Sequence, residues 1–454
     1  INNKPLLVAT DNASAGKAIR VNHLWPGGSL GLSLDGTGMF VGIWDGGSVL
    51  KTHQEFNTSG VSRVTTPDGG LNPTTEFHET NVDDTESAKG MNASAKGMAP
   101  NVNIKSYNWT SDSSEVTTEA SSSGMLISNH SYGIPINNDA GELNVPGTWY
   151  MGCYSDASRS WDEITFNYPY YLPVMSAGND GLTGYTGGLA TGYDKLNGNK
   201  TSKNLLIVAN ANPTVHPITG VISSLVINNS SSQGPTDDGR IKPDIAADGT
   251  LLYSTSNEST SSYGTSSGTS MASPGVAGGL ILLQEHYNNL HANEFMKAAT
   301  LKALVCHTAL DDEASIGPDP KFGWGLLDTR EAANVLTNSV TASPTTIVRE
   351  LNLLANGTYT MQVNVSSVKQ LKATIAWTDR PGVVKNNQLN SSSADLINDL
   401  DLRIIKNDVV SFPWKLQLSD VSAPAIKGDN TVDNVERVEV DEALGNYTIQ
   451  ITHK

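Results

Sequence analysis

The sequence predicts an α/β domain with a mainly parallel sheet and helices on both faces, followed by a smaller all-β domain. Short apolar runs alternate with helical patterns from Met39 to about Cys306, and the apolar spacing changes to a period of two after Leu336. Apolar strands separated by helices are typical of parallel sheets covered on both faces. Such sheets carry their chemistry at the carboxyl ends of the strands.

The first part, residues 1–336, contains buried strands and helices. The predicted strands are residues 39–44, 102–109, 125–129, 170–176 and 205–211. Residues 273–286 and 294–307 have the length and composition of helices. The Ser/Thr-rich residues 110–124 are predicted to form a surface loop or a polar helix.

The second part, residues 337–454, is predicted to be an all-β sandwich that follows a polar linker at 337–344. Its half-buried antiparallel strands are predicted at residues 358–365, 372–377, 402–405, 435–440 and 447–452.

Composition excludes several classes of protein. The chain has 454 residues, more than one hydrophobic core usually organises, so two domains are expected. Its 29 basic and 46 acidic residues give a net charge of −17, which disfavours nucleic acid and anionic membrane surfaces as partners. No apolar run reaches the ~18 residues of a membrane span, and the polar start of the chain suggests a mature or trimmed protein. Cys153 and Cys306 are expected to be unpaired buried thiols.

Two reactive side chains follow apolar segments. Asp45 ends the run VGIWD and precedes two glycines, although an Asp before Gly-Gly is more often only a turn former. His78 precedes a stretch that could open a helix, and a lone histidine there is more often structural than catalytic. Neither residue identifies a function alone.

Ser270 lies in a more informative segment, residues 266–278, SSGTSMASPGVAG. A turn of small residues leads into a helix, with Ser270 near its N-terminus and Pro274 predicted in the first turn. The N–H groups and the positive dipole end of such a helix could hold a developing anion beside a nucleophile. The alternative is that Ser270 is merely an N-cap.

Residues 268–274, GTSMASP, resemble the nucleophile motif of the subtilisin-like serine proteases. The order Asp45, His78, Ser270 matches the aspartate, histidine, serine order of that family. Residues 174–180, VMSAGND, resemble the segment with the oxyanion-hole asparagine, here Asn179. Further resemblances are residues 128–133, SNHSYG, to the substrate-binding strand, residues 231–235, SSQGP, and residues 322–326, FGWGL, to the closing segment. The resemblance covers roughly residues 20–335.

The resemblance implies a secreted, extracellular serine endopeptidase with a subtilisin-like fold and protein or peptide substrates. His78 would accept the Ser270 proton, Asp45 would orient the imidazole, and Asn179 would bind the oxyanion. It also implies that five residues form the substrate-binding walls: Ser131, Tyr132, Gly133, Ala177 and Gly178.

The segment after His78 departs from the family pattern. Family members usually have His, a small residue, Thr, His, Val, Ala, Gly, Thr, whereas this chain has HETNVDDT. The departures are Glu79, Asn81, Asp83 and Asp84, which either bury carboxylates or shift the helix. Because nearby negative charge favours an imidazolium, we expect the carboxylates of Glu79, Asp83, Asp84 and Glu86 to move the activity of His78 toward alkaline pH.

The second domain resembles the jelly-roll-like β-sandwich of kexin-type proteases, through residues 376–379, AWTD, and 396–402, LINDLDL. Asn398, Asp399 and Asp401 could supply oxygen ligands to structural calcium, which subtilases commonly bind, or they could form a solvated turn.

Two alternatives to the protease remain open. The altered segment after His78 could make the protein a pseudoprotease that only binds peptide in the same cleft. The β-sandwich could instead bind carbohydrate or a cell surface while the first domain acts as a carrier.

Overall fold

The computed structural model describes residues 12–58, 60–69, 76–312 and 314–454. The α-helices are α1 (Asn12–Ala18), α2 (Phe77–Ser87), α3 (Asp112–Ser122), α4 (Asp156–Asn167), α5 (Thr269–Leu290), α6 (Ala298–Thr308) and α7 (Thr329–Ser339). The strands are β1 (Phe40–Asp45), β2 (Asn57–Thr58), β3 (Val61–Ser62), β4 (Val64–Thr65), β5 (Asn103–Asn108), β6 (Ile127–His130), β7 (Leu172–Ser176), β8 (Leu206–Ala211), β9 (Thr214–Val215), β10 (Ile222–Ser224), β11 (Ile245–Asp248), β12 (Leu252–Thr255), β13 (Tyr263–Ser266), β14 (Thr358–Ala376), β15 (Leu400–Lys406), β16 (Val409–Ser411), β17 (Trp414–Lys415), β18 (Ile426–Lys427) and β19 (Val435–His453).

The first part of the chain forms a seven-stranded sheet in the order β11-β8-β7-β6-β1-β5-β4. Every pair of neighbouring strands in it is parallel, which confirms the predicted sheet. In the register of the sheet, Asp45 lies opposite Asn108 and Trp44 lies opposite His130. Strands β1, β6 and β7 therefore end side by side at the carboxyl edge of the sheet.

Helix α5 crosses the sheet and contacts β6, β7, β8 and β11. Its apolar side chains, among them Val276, Leu280 and Leu283, are fully buried in the main hydrophobic core. Helix α2 packs against α5. This packing fixes the N-terminus of α5 at the edge where β6 and β7 end.

The second part of the chain forms a four-stranded antiparallel sheet, in the order β14-β19-β15-β16, and a two-stranded ribbon of β17 and β18. The long strands β14 and β19 each join two predicted strands into one. Their pairing is interrupted between Val365 and Leu371, where the register shifts. The antiparallel sheet agrees with the predicted strand pattern, but the described strands do not confirm a jelly-roll-like sandwich.

The division into 1–336 and 337–454 stays a proposal, because the two parts share buried contacts. Helix α7 extends to Ser339, so the predicted linker at 337–344 begins inside a helix. One hydrophobic cluster combines Cys306 and Trp324 with Trp414 and Val435 from the second part.

Two further predictions concern single features. Cys153 and Cys306 are buried and unpaired, as expected, and burial raises the pKa of both thiols to about 12. Residues 112–122 form α3, so the helical alternative for the Ser/Thr-rich segment is correct. Across the described ranges, every helix is too short or too polar to cross a membrane.

Candidate active site

Asp45 and His78 form a hydrogen-bonded pair at the end of β1. His78 Nδ1 lies 2.8 Å from Asp45 Oδ2, and Asp45 Oδ1 accepts a hydrogen bond from the Gly46 N–H at 2.7 Å. The Asp45 side chain is 3% exposed and the His78 side chain 44% exposed. Because Nδ1 is held by the carboxylate, the neutral imidazole presents Nε2 as the acceptor.

The environment of His78 favours its charged form. Burial lowers the pKa of His78, but the hydrogen bond and the negative charge of Asp45 outweigh burial, so the pKa is raised above its ordinary value. The pair therefore stabilises an imidazolium once a proton has been accepted.

Ser270 is held at the start of α5 by reciprocal bonds to Ser131. Ser270 Oγ donates to the Ser131 carbonyl at 3.1 Å, and Ser131 Oγ donates to the Ser270 carbonyl at 2.9 Å. Pro274 lies in the second turn of α5, not in the first as predicted. Because proline has no N–H, the Ser270 carbonyl lacks its helical donor and is free to accept from Ser131. Within the described ranges, Ser270 and His78 are not joined by a hydrogen bond.

Asn179 follows β7 and faces the N-terminus of α5. Its Oδ1 accepts hydrogen bonds from the Thr269 N–H at 3.0 Å and from Thr269 Oγ1 at 3.1 Å. With Oδ1 fixed in this way, Nδ2 remains as a donor beside Ser270.

One cleft collects most of the residues predicted for the site. It is lined by Asp45, His78, Ser131, Tyr132, Gly133, Gly178, Asn179 and Ser270. Ala177 does not line the cleft, because its side chain is buried in the cluster around Trp44. Sequence reasoning missed several other lining residues, among them Glu76, Trp109, Asp180 and Lys200. No local motif marks Lys200, which reaches the cleft only through tertiary folding.

The acidic residues of α2 are buried, and the helix packs against α5. Glu79, Asp83, Asp84 and Glu86 are fully buried. Glu79 accepts from the Gly47 N–H at 3.0 Å and from Ser106 Oγ, and Asp84 accepts from Ser254 Oγ at 2.7 Å. Among the residues that the structure describes, both carboxylate oxygens of Asp83 and of Glu86 lack hydrogen-bond partners.

Burial favours the uncharged forms of these carboxyl groups. It raises the pKa of Glu79 to about 8 and the pKa values of Asp83, Asp84 and Glu86 well above their ordinary values. A protonated carboxyl group carries no net charge to act on His78. The alkaline displacement of activity expected from these residues stays a prediction, and protonation of the buried carboxyl groups would reduce it.

The candidate calcium ligands already contact protein cations or other side chains. Lys454 Nζ lies 3.1 Å from Asp399 Oδ2 and 3.0 Å from Asp401 Oδ1, and Asp401 also pairs with Arg403. Asn398 Nδ2 donates to Asp379. A calcium ion would have to displace an ammonium group, so this set does not fit the ion well.

Three features together are those of a serine protease of the subtilisin class. They are the parallel sheet, an aspartate–histidine pair at the end of β1, and a serine at the start of α5. A sequence model of the subtilase family matches residues 36–325. This range is more than half of the chain, which therefore belongs to the subtilase family.

Two relatives match this chain over only a small part of their own length. The C5a peptidase of Streptococcus pyogenes serotype M3 is 36% identical over 141 residues, which are 30% of this chain and 12% of that protein. The PII-type proteinase of Lactococcus lactis subsp. cremoris is 30% identical over 134 residues, 26% of this chain and 7% of that protein. The chain thus matches about an eighth or less of the length of these relatives.

A solved structure shows the same fold. The CspB protease of Clostridium perfringens aligns with a TM-score of 0.55 at 15% identity, over 71% of this chain and 99% of that chain. At this identity the likeness shows the fold alone.

The buried carboxyl groups of α2 predict an unusual dependence of stability on pH. Their folded pKa values lie above the unfolded values near 4, so the folded protein keeps protons that the unfolded chain has released. The free energy of unfolding should therefore fall as pH rises from about 4 toward the folded pKa. Glu86→Gln should reduce this slope by up to about 1.4 kcal/mol per pH unit.

Urea unfolding between pH 4 and pH 8 measures the effect. Glu163→Gln, at an exposed position on α4, is the control and should leave the slope unchanged. A slope for Glu86→Gln equal to that of the wild-type protein would show that Glu86 is ionised in the folded state.

Proposed function

We propose that this protein is an extracellular serine endopeptidase that uses Asp45, His78 and Ser270 as its triad, with Asn179 in the oxyanion hole. The observation that carries the proposal is the 2.8 Å contact between Asp45 and His78 in the same cleft as Ser270. Membership of the subtilase family supports proteins or peptides as substrates. The net charge of −17 argues against nucleic acid as a partner.

The first chemical step needs a rotation of Ser270. Its Oγ must leave the Ser131 carbonyl and donate to His78 Nε2, which then accepts the proton as Oγ attacks the peptide carbonyl. Catalytic hydrogen bonds of this kind are often absent without substrate and form in the enzyme–substrate complex. Asp45 holds the imidazole in the required tautomer and stabilises the imidazolium. His78 later returns the proton to the leaving amine.

The developing oxyanion meets donors from two elements. The Ser270 N–H lies in the first turn of α5, where helical N–H groups lack intrahelical partners. The Asn179 amide is the second donor, because Thr269 fixes its oxygen. Such donors stabilise the tetrahedral intermediate more than the ground state.

Ser270→Ala should lower peptide turnover by several orders of magnitude, because it removes the nucleophile and leaves the fold nearly unchanged. Hydrolysis of a fluorogenic peptide and labelling by a fluorophosphonate measure the loss. Ser267→Ala, at an exposed serine three residues earlier, is the matched control and should keep both signals.

Two results would contradict the proposal. Turnover by Ser270→Ala close to that of the wild-type protein would exclude Ser270 as the nucleophile. If the wild-type protein binds the peptide but neither hydrolyses it nor is labelled by the fluorophosphonate, the result would instead favour the pseudoprotease.

Asn179→Asp separates the two roles of the Asn179 side chain. The carboxylate keeps an acceptor for Thr269 but replaces the donor to the oxyanion by a negative oxygen. We expect kcat to fall by about 10² to 10³ with little change in KM. Steady-state kinetics measure both constants, and a rise in KM with kcat unchanged would remove Asn179 from the oxyanion hole.

Structural calcium stays a prediction from family resemblance, and we expect any such ion to bind away from Asp399. Excess chelator should therefore shift the melting temperatures of the wild-type protein and of Asp399→Ala by the same amount. A calcium response present only in the wild-type protein would place the ion at Asp399 in spite of its contact with Lys454.

A further inference from the structure

Lys200 brings a buried ammonium group to the two predicted substrate-binding segments. It lies in a short helical turn, Gly198–Thr201, and is 4% exposed. A Cβ atom placed on Gly133 would stand 2.2 Å from Lys200 Nζ, and one placed on Gly178 would stand 3.4 Å from it. The ammonium therefore lies between the backbones of these segments, in the cleft that contains Ser270.

The other deeply buried lysines of the described ranges have partners. Lys203 pairs with Asp379 at 2.5 Å, Lys302 pairs with Asp244 at 2.9 Å, and Lys242 pairs with the same aspartate. Lys195 Nζ donates to the Gly181 carbonyl. In contrast, Lys200 Nζ makes no hydrogen bond or ion pair with any described residue.

Asp180 is near enough to favour the charged form of Lys200 but does not neutralise it. Its Oδ1 is engaged by the Ile136 N–H and by Thr183 Oγ1, each at 3.2 Å. A buried charge normally has a partner, because desolvation without one is costly. An unpaired ammonium that faces a binding cleft therefore indicates an anionic group on the ligand.

We propose that Lys200 determines substrate specificity by binding the carboxylate of a glutamate or aspartate at the residue that precedes the cleaved bond. This inference rests on the proposed protease function. The side chain of that substrate residue would enter between residues 131–133 and 178–179, which flank Ser270. Gly133 leaves room for the ammonium, because a Cβ atom at residue 133 would overlap Nζ in its present position.

Selectivity should follow the ionisation of Lys200. Burial lowers the pKa of Lys200 to about 8, although Asp180 partly opposes this effect. The ammonium is thus present at pH 7 and is lost as pH rises through 8. The other ionisable residues of the cleft wall are Asp45, Glu76, His78, Glu79, Tyr132 and Asp180.

The test compares peptides that differ only in the residue before the cleaved bond, which is Glu, Gln, Phe or Lys. At pH 7 we expect kcat/KM for Glu to exceed that for Gln at least about tenfold, because the neutral Gln amide supplies no countercharge to the ammonium. The Lys peptide should be the poorest, because like charges repel. In Lys200→Met, the ratio of kcat/KM for the Glu peptide to that for the Gln peptide should fall close to one, while the Phe peptide is still cleaved.

Lys195→Met is the matched control, because it also removes a buried lysine but does not alter the cleft wall. It should keep the preference for Glu. The wild-type protein supplies an independent measurement, since its ratio of Glu to Gln in kcat/KM should fall between pH 7 and pH 9.5 as free Lys200 loses its proton.

Equal rates on Glu and Gln peptides, or a preference for Glu that survives in Lys200→Met, would overturn the inference and leave the proposed protease intact. Absence of turnover on every peptide, without labelling of Ser270, would instead reject the protease. Peptide binding to Ser270→Ala then tests the anion site at Lys200 without turnover. A peptide that ends in glutamate should bind more tightly than its glutamine counterpart. Equal affinities would exclude an anion site at Lys200.

Discussion

The site depends on the docking of the N-terminus of α5 against the carboxyl edge of the parallel sheet. Two side-chain contacts fix this junction: Ser131 donates to the Ser270 carbonyl, and Asn179 accepts from the Thr269 N–H. Pro274 makes the first contact possible by removing the helical donor to Ser270. The helix start, the end of β6 and the end of β7 are thereby joined, and the remaining residues of the site are arranged around them.

The acidic residues of helix α2 face the protein interior instead of water. The helix stays packed against α5 with Glu79, Asp83, Asp84 and Glu86 fully buried. Burial raises the pKa values of these carboxyl groups and thereby favours their neutral forms. The arrangement reduces the stability of the fold at neutral pH while leaving the charge of Asp45 dominant at the imidazole.

The sequence was sufficient for five strands of the parallel sheet, β1, β5, β6, β7 and β8, because each contains a run of apolar residues, and for Ser270, because its motif is long. It did not indicate the short strands β4 and β11 at the two ends of the sheet. It was insufficient for β14 and β19, where a shift in register joins strands that look separate. The environment of Asp83 could not be predicted, since an acidic residue in the second turn of a helix is equally compatible with solvent. Lys200 was missed for a similar reason. Its proposed function follows from the lack of a partner for its ammonium group among the described residues, and only the tertiary arrangement shows this lack.

The unpaired ammonium also explains how an acidic protein can select an acidic substrate. The net charge of −17 repels such a peptide at long range, but this repulsion between solvent-exposed charges is screened within about 8 Å at physiological salt. The contact with Lys200 is buried and is screened much less. Charge selection would therefore occur in the cleft after encounter, where the ammonium faces a bound side chain at short range.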